Sequence, residues 1–247
     1  SERLQPWIDA HVEGAGRIKR IEQFKGGQSN PTYKITTDTK SLVLRRKPPG
    51  KLLPSAHAVD REYKVISALY ETDVPVPKTY GLCEDESVAG TAFFVMDFLD
   101  GDIYWNPMLP SLKKEDRIKI YSSKNKTLAA LHSVDYKKVG LGDYGKPGNY
   151  VSRQIARWSR QYKASETDNI DAMNNLIKWL PENIPNDDET SIVHGDFRLD
   201  NMIYKNNDVI GVLDWELSTL GHPVADFSYH CLTWRTEPMY SDYPKLK

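Results

Sequence analysis

The stretch His194-Gly195-Asp196-Phe197-Arg198-Leu199-Asp200-Asn201, followed by Val212-Leu213-Asp214-Trp215, gathers side chains that can do chemistry into one short part of the chain. Between the two clusters, residues 202–204 and 209–213 read as the arms of a β-hairpin turning around Lys205-Asn206-Asn207-Asp208. With the turn centred between Asn206 and Asn207, opposed residues have numbers summing to about 413, so Asn201 stands opposite Val212 and Asp214 lies just past that end of the ladder. Asn201 and Asp214 are therefore expected to face each other, and the loop carrying Asp196 feeds the same end. Two carboxylates and an amide oxygen are hard ligands that suit Mg²⁺. Phosphoryl transfer needs these parts: an Asp that orients and accepts the proton of a hydroxyl, and an Asn and an Asp that hold the metal ions bridging nucleotide phosphates.

A second constellation lies in the front half. Residues 57–70 read as a helix, with Ser55 as N-cap and Asp60-Arg61-Glu62 in its first turns. Helical neighbours of Glu62 are Ala58, Val59, Val65, Ile66 and Leu69, so this carboxylate points along the apolar face. An inward carboxylate is costly unless a cation pairs with it, and the strand predicted over 41–46 ends in one, Arg45. The pair would be either a structural ion pair or part of a phosphate site. Gly26-Gly27-Gln28-Ser29-Asn30, between two predicted strands, fits a phosphate-covering turn or a plain tight hairpin. A GxxxxGK[ST] motif is absent, which excludes a P-loop NTPase.

The elements that must position these residues fall into two halves. Strands are expected over 18–24, 32–36, 41–46, 78–83 and 91–98, interrupted by the one helix. Beyond residue 111 the pattern turns helical, over 111–132, 150–164 and 169–180, the last stopped by Pro181, with a short strand at 191–193 ahead of the hairpin. The expected architecture is α+β and two-lobed, with residues 1–99 as one lobe, 100–247 as a helical second lobe, and the ligand site in the cleft between them. The 247 residues carry 33 Lys and Arg against 34 Asp and Glu, so bulk charge gives no reason to expect nucleic acid or an anionic membrane as partner. No run of apolar residues is long enough for a membrane span or a signal core. Two isolated cysteines, Cys83 and Cys231, suggest neither a disulfide framework nor a zinc site, and a cytoplasmic setting is expected.

The rear motif follows the protein kinase spacing HRDLxxxxN then DFG, with Gly195 replacing the Arg and Asp214-Trp215-Glu216 replacing DFG. The chain resembles the aminoglycoside phosphotransferase-like kinases, whose catalytic loop reads HGDxxxxN and whose metal motif reads DxD or DWE. It is closer still to the subgroup found alone or fused to acyl-CoA dehydrogenases, through Phe24 to Asn30, Leu42 to Gly50, His194 to Asn201 and Asp214 to Pro223. The resemblance implies a bilobal protein-kinase-like fold, an antiparallel-sheet N-lobe with one helix before a mostly helical C-lobe, and ATP and Mg²⁺ as cofactors. It makes Asp196 the catalytic base and Asn201 and Asp214 the metal ligands. Arg198 would neutralise γ-phosphate charge or be a simple surface residue. Gly27, Gln28, Ser29 and Asn30 would cover the phosphates, and Arg45 with Glu62 would take the place of the strand Lys and helix Glu of kinases. Asp97, Phe98 and Leu99 resemble the hinge against which adenine stacks. His194 is read as a buried residue shaping the loop, and Asp226 as a brace for that loop or a helix cap.

The leading expectation is an ATP-dependent kinase acting on a hydroxyl of a small molecule. A nucleotide-binding pseudokinase regulating a fused or associated partner is the alternative, and a metal-dependent hydrolase using His194, Asp196, Asp214, His222 and Asp226 is a third. Arg153, Arg157 and Arg160 form a basic stripe that is either a solvated helix face or, if it borders the cleft, a reason to expect an anionic substrate. The subgroup resemblance implies a hydroxyacyl-CoA and a functional link to an acyl-CoA dehydrogenase; aminoglycoside or choline is the rival substrate class. The chain ends soon after Asp214, which reads as short for this kinase type and leaves some carboxy-terminal helices unaccounted for.

Overall fold

A computed structural model describes residues 2–24, 30–50 and 58–232. The front half is a five-stranded antiparallel sheet of β1 (Ile18–Gln23), β2 (Thr32–Thr37), β3 (Ser41–Arg46), β4 (Thr79–Cys83) and β5 (Phe93–Asp97), in the order β1-β2-β3-β5-β4. Strands β3 and β5 are central and apolar on both faces, so their alternation divides two cores. Leu42, Leu44, Phe93 and Val95 point to the outer face. There they meet Leu4, Ile8 and Val12 of a helix the sequence reading did not anticipate, α1 (Leu4–His11), and its end. Val43, Phe94 and Met96 point inward, against α2 (Val59–Leu69) and the second lobe.

Helix α2 starts at Val59 with Ala58 at its N-cap position, and no side chain among the described residues caps it; Ser55 lies outside them. Its buried residues Val59, Glu62, Val65, Ile66 and Leu69 form one stripe at helical spacing, as expected. A one-turn helix, α3 (Glu86–Ala89), was also unanticipated.

Helix α4 (Lys114–His132) packs on the short strands of the rear half, while α5 (Tyr150–Ala164) and α6 (Asp171–Glu182) pair with each other. Pro181 does not stop α6 as expected but sits inside its last turn, where only one backbone bond is forfeited. Strand β6 (Ser191–Val193) pairs with β9 (Thr219–Gly221), and β7 (Met202–Lys205) with β8 (Asp208–Val212); α7 (Val224–Leu232) follows.

The hairpin turns at Asn206 and Asn207 with φ of 54° and 69°, the left-handed pair that a two-residue turn demands. Its register differs by one residue from the expectation. Tyr204 pairs with Val209 but Ile203 with Gly211, so Ile210 is an extra residue and Met202, not Asn201, stands opposite Val212. The bulge moves Asn201 opposite Leu213, whose N–H donates to the Asn201 carbonyl at 2.9 Å.

Asp102 exchanges backbone hydrogen bonds of 2.8 Å with Tyr204, which ties the chain leaving the sheet to the hairpin. Gly101 is required there because a Cβ would collide with the Tyr204 carbonyl. Among the described residues no helix is long and apolar enough to cross a membrane.

Ile8 is fully buried between α1 and the sheet, so Ile8→Ala should cost about 2–5 kcal/mol. In urea the midpoint should fall with an unchanged slope; an unchanged midpoint would show that α1 adds nothing to the lobe.

Candidate active site

Strand β6, buried at all three positions, delivers the chain into the loop that starts at His194. The His194 ring is fully buried, and both its nitrogens are engaged. The Asp196 N–H donates to Nδ1 at 3.2 Å, which leaves Nε2 to donate to the Leu213 carbonyl at 2.9 Å. Burial pushes the ring below the ordinary histidine range, so it is neutral and ties the loop to the end of β8. Gly195 has φ of 82°, and a Cβ would stand 2.8 Å from the Leu217 carbonyl oxygen, so the Arg of the protein kinase pattern has no room. Asp226, 1% exposed, accepts the N–H of His194 at 2.7 Å on one oxygen and that of Gly195 at 2.8 Å on the other. It braces the loop, and His132 Nε2 stands 3.3 Å from it.

This scaffold fixes the Asp196 carboxylate. Asn201 donates through Nδ2 to the Asp196 carbonyl and to Asp196 Oδ2, both at 2.9 Å. Arg198 Nε lies 3.2 Å from Asp196 Oδ1, and its Nη2 lies 3.1 Å from Asp200. Arg198 is thus neither a lone surface residue nor aimed only at a ligand: it clamps two carboxylates of the loop. Lys124 of α4 is buried beneath Phe197, and burial pulls its ammonium down to about 8 against the attraction of Asp200.

From the front lobe, Arg45 reaches two carboxylates. Its Nε donates to Glu62 Oε2 and its Nη2 to Asp214 Oδ1, each at 2.6 Å. Burial works against the guanidinium charge, but Glu62 and Asp214 outweigh it and raise its pKa. Burial pushes the Glu62 carboxyl up while Arg45 pulls it back. Asn30 also donates to Glu62 Oε2, at 3.2 Å, whereas Oε1 has no hydrogen-bond partner among the described residues. Asp214 is held at φ 63°, ψ 60°, a left-handed conformation costing roughly 1–2 kcal/mol for a residue with a Cβ.

Between the lobes lies a cavity of about 390 Å³. Arg45, Glu62, Asn201 and Asp214 stand on its polar side, and Val43, Ile66, Phe94, Met96 and Ile203 are among its apolar residues. Asp97, Phe98 and Leu99 line it too, with Phe24 stacked on Phe98 at 6.4 Å and Tyr80 OH donating to Asp97 at 2.7 Å. Of the expected site residues, the structure therefore brings Arg45, Glu62, Asp97, Phe98, Leu99, Asn201 and Asp214 to one cavity. Asp196 and Arg198 adjoin it through Asn201 and Asp200, and Asn30 through Glu62. Gly27, Gln28 and Ser29 lie outside the described residues.

The donor set fits Mg²⁺. The Asn201 amide spends its N–H groups on Asp196, which leaves its oxygen, with the Asp214 carboxylate, as the hard ligands; a cation sharing phosphates needs only one or two protein ligands. No group of three or more His, Cys, Asp or Glu able to hold a metal occurs among the described residues, which removes support from the metal-hydrolase alternative. The basic stripe of α5 does not line the inter-lobe cavity. Arg153 instead binds the carbonyls of Lys146 and Gly148, and neither Arg157 nor Arg160 lines the inter-lobe cavity.

Tyr229 was missed from sequence. It lies on α7 one helical turn after Asp226, and its hydroxyl pKa is raised by burial and then by Asp196. The i, i+3 spacing from Asp226 was the available signal.

A two-lobed kinase-like fold whose cleft holds an Asp-x₄-Asn loop and a following Asp defines a phosphotransferase of the protein-kinase-like class. The profile of the phosphotransferase enzyme family (APH) matches residues 20–241, and the chain belongs to that family. It is 50% identical over 227 residues to acyl-CoA dehydrogenase family member 10 of Mus musculus, covering 91% of this chain and 21% of that protein. It is 43% identical over 249 residues to acyl-CoA dehydrogenase family member 11 of Homo sapiens, covering 97% and 32%. The chain thus spans a third or less of these curated relatives. Among solved structures, a Ralstonia eutropha protein provisionally named an aminoglycoside phosphotransferase superposes with a TM-score of 0.88 at 53% identity, covering 96% of this chain and 70% of that one. The streptomycin–ATP complex of APH(2")-IIa superposes with a TM-score of 0.63 at 20% identity, covering 92% and 74%.

His230, packed near Lys124, is lowered to about 4 by burial, and His194 is lowered as well. Both bind protons more readily when unfolded, near pH ~6.5, than when folded, so stability should be intact above pH ~6.5 and decline as pH falls toward 4. Thermal melts across that window should show a shallower decline for His230→Gln than for the parent chain; equal slopes would remove His230 from the account.

Proposed function

We propose that the chain is an ATP- and Mg²⁺-dependent kinase that transfers the γ-phosphoryl group to a hydroxyl of a small molecule, with residues 1–99 as the nucleotide lobe and 100–247 as the helical catalytic lobe. The observation that carries this reading is the Asp196 carboxylate, held on one oxygen by Asn201 and on the other by Arg198, beside a cleft that also contains Asp214 and Arg45.

In this reading the adenine base enters the apolar part of the cavity, between Val43, Met96 and Ile203, and meets backbone groups of 97–99. Asn201 and Asp214 would hold Mg²⁺, which would supply charge neutralisation at the phosphates. Asp196 orients the acceptor hydroxyl and takes its proton as the phosphoryl group departs from the nucleotide. Arg198, half exposed beside the base, would neutralise charge on the transferred group while its Nε stays on Asp196. Nothing in this set forms a covalent bond to the substrate, so rate comes from positioning and charge neutralisation.

Relatives named as acyl-CoA dehydrogenases favour a hydroxyacyl-CoA as acceptor and a functional link to acyl-CoA oxidation. The arginines of α5 lend this choice no support, since they do not line the inter-lobe cavity. Acceptor preference is tested by turnover of 4-hydroxyacyl-CoA against aminoglycosides and choline; phosphorylation of kanamycin alone would overturn the acyl-CoA choice.

Asp196→Ala should reduce turnover by about 10²–10⁴-fold while nucleotide affinity stays within a few fold, read by steady-state kinetics and calorimetry. Undiminished turnover would reject Asp196 as base.

A further inference from the structure

We propose that Arg45 is a positioning residue for Asp214 across the cleft, a latch that holds this carboxylate until a metal-bound nucleotide displaces the guanidinium. The inference deepens the kinase reading and rests on Asp214 being a metal ligand.

The geometry carries it. A guanidinium offers a planar fork, and here two of its edges are committed: Nε to Glu62 and Nη2 to Asp214, both at 2.6 Å. Glu62 and Arg45 both belong to the front lobe, so their pair is internal to it. Asp214 belongs to the rear lobe, 169 residues away in sequence, and the second bond spans the cleft. A lysine at position 45 would present one compact ammonium in place of a rigid fork with a separate donor edge for each carboxylate, so its hold on Asp214 would be looser. The departure from the strand Lys of kinases therefore has a structural use that the Glu62 pair alone does not explain.

Asp214 also sits in a left-handed backbone conformation directly after β8, so its side chain depends on outside contacts for its direction. Among the described residues, the Arg45 contact is the hydrogen bond recorded for its carboxylate. The oxygen that accepts from Arg45 is one a cation would need. Arg45 and metal thus compete for Asp214, and once Asp214 turns to the metal, the released Nη2 faces the same cavity in which the phosphates would lie. The latch keeps two carboxylates from standing unneutralised in an empty cleft, and makes metal binding dependent on the phosphates that take over the Arg45 charge.

The test is Mn²⁺ binding to the nucleotide-free chain, followed by the electron paramagnetic resonance signal of free Mn²⁺. Arg45→Lys keeps a cation for Glu62 and gives up the separate Nη2 arm directed at Asp214, so it should bind Mn²⁺ about 5-fold or more tightly than the parent chain. Equal or weaker binding in that variant overturns the latch. Asp214→Asn separates the two readings: if it weakens Mn²⁺–ADP binding, the metal assignment stands whatever Arg45→Lys does; if it does not, the assignment fails and the latch with it. A second readout covers misfolding of the lysine variant. Asn tolerates the left-handed conformation better than Asp does, so without a latch Asp214→Asn would melt at the same or a higher temperature in metal-free buffer; a lower melting temperature is the expected result, and its absence overturns the proposal.

Discussion

Glu62 is 1% exposed, and a carboxylate so placed must be paired or protonated. That constraint organises the cleft. The apolar stripe of α2 carries Glu62 inward, strand β3 places Arg45 beside it, and Arg45 then has a donor edge to spare that meets Asp214 of the other lobe. The register of β3 between β2 and β5 decides which side Arg45 takes: with Leu44 on the outer core, Arg45 shares the inner face with Val43. A slip of one residue would send the guanidinium to the outer core and leave Glu62 alone.

The rear lobe solves a different problem. A catalytic loop has few backbone partners, yet the His194 N–H is inside the protein, where an unmade hydrogen bond costs about 1–3 kcal/mol, and the Gly195 N–H beside it also needs an acceptor. One buried carboxylate, Asp226, satisfies both, and the ring of His194 ties the loop to the end of β8 through Leu213. The loop and the hairpin therefore move as one piece, and the spacing between Asp196, Asn201 and Asp214 follows from that connection and not from the hairpin alone.

Much of this was legible in the sequence because it is written in local patterns. The Glu62 stripe has helical period, β3 and β5 are apolar runs bounded by turn residues, Asn206-Asn207 announces its turn, and the catalytic loop is contiguous. What stayed hidden depends on tertiary contact. Helix α1 is short, carries Pro6 in its first turn, and is stabilised by packing on the sheet, where Trp7 lies at 5.0 Å from Phe93. The bulge at Ile210 has no sequence marker and shifted the predicted pairing by one residue. The Arg45–Asp214 contact joins positions that no short window contains. The direction of Arg153 is settled by the carbonyls of Lys146 and Gly148, which composition cannot reveal.

The environment of Asp196 bears on the kind of chemistry available. Asn201 holds one oxygen of the carboxylate and Arg198 the other, which restrains its orientation. Phosphoryl transfer through a loose transition state asks little of the base until the bond to the leaving group is largely broken, so orientation is worth more than basicity. The same logic accounts for a loop this heavily braced: Gly195, Asp226 and His194 touch no reacting atom in the proposed reaction, but each removes a freedom that would let the carboxylate drift from the line of transfer.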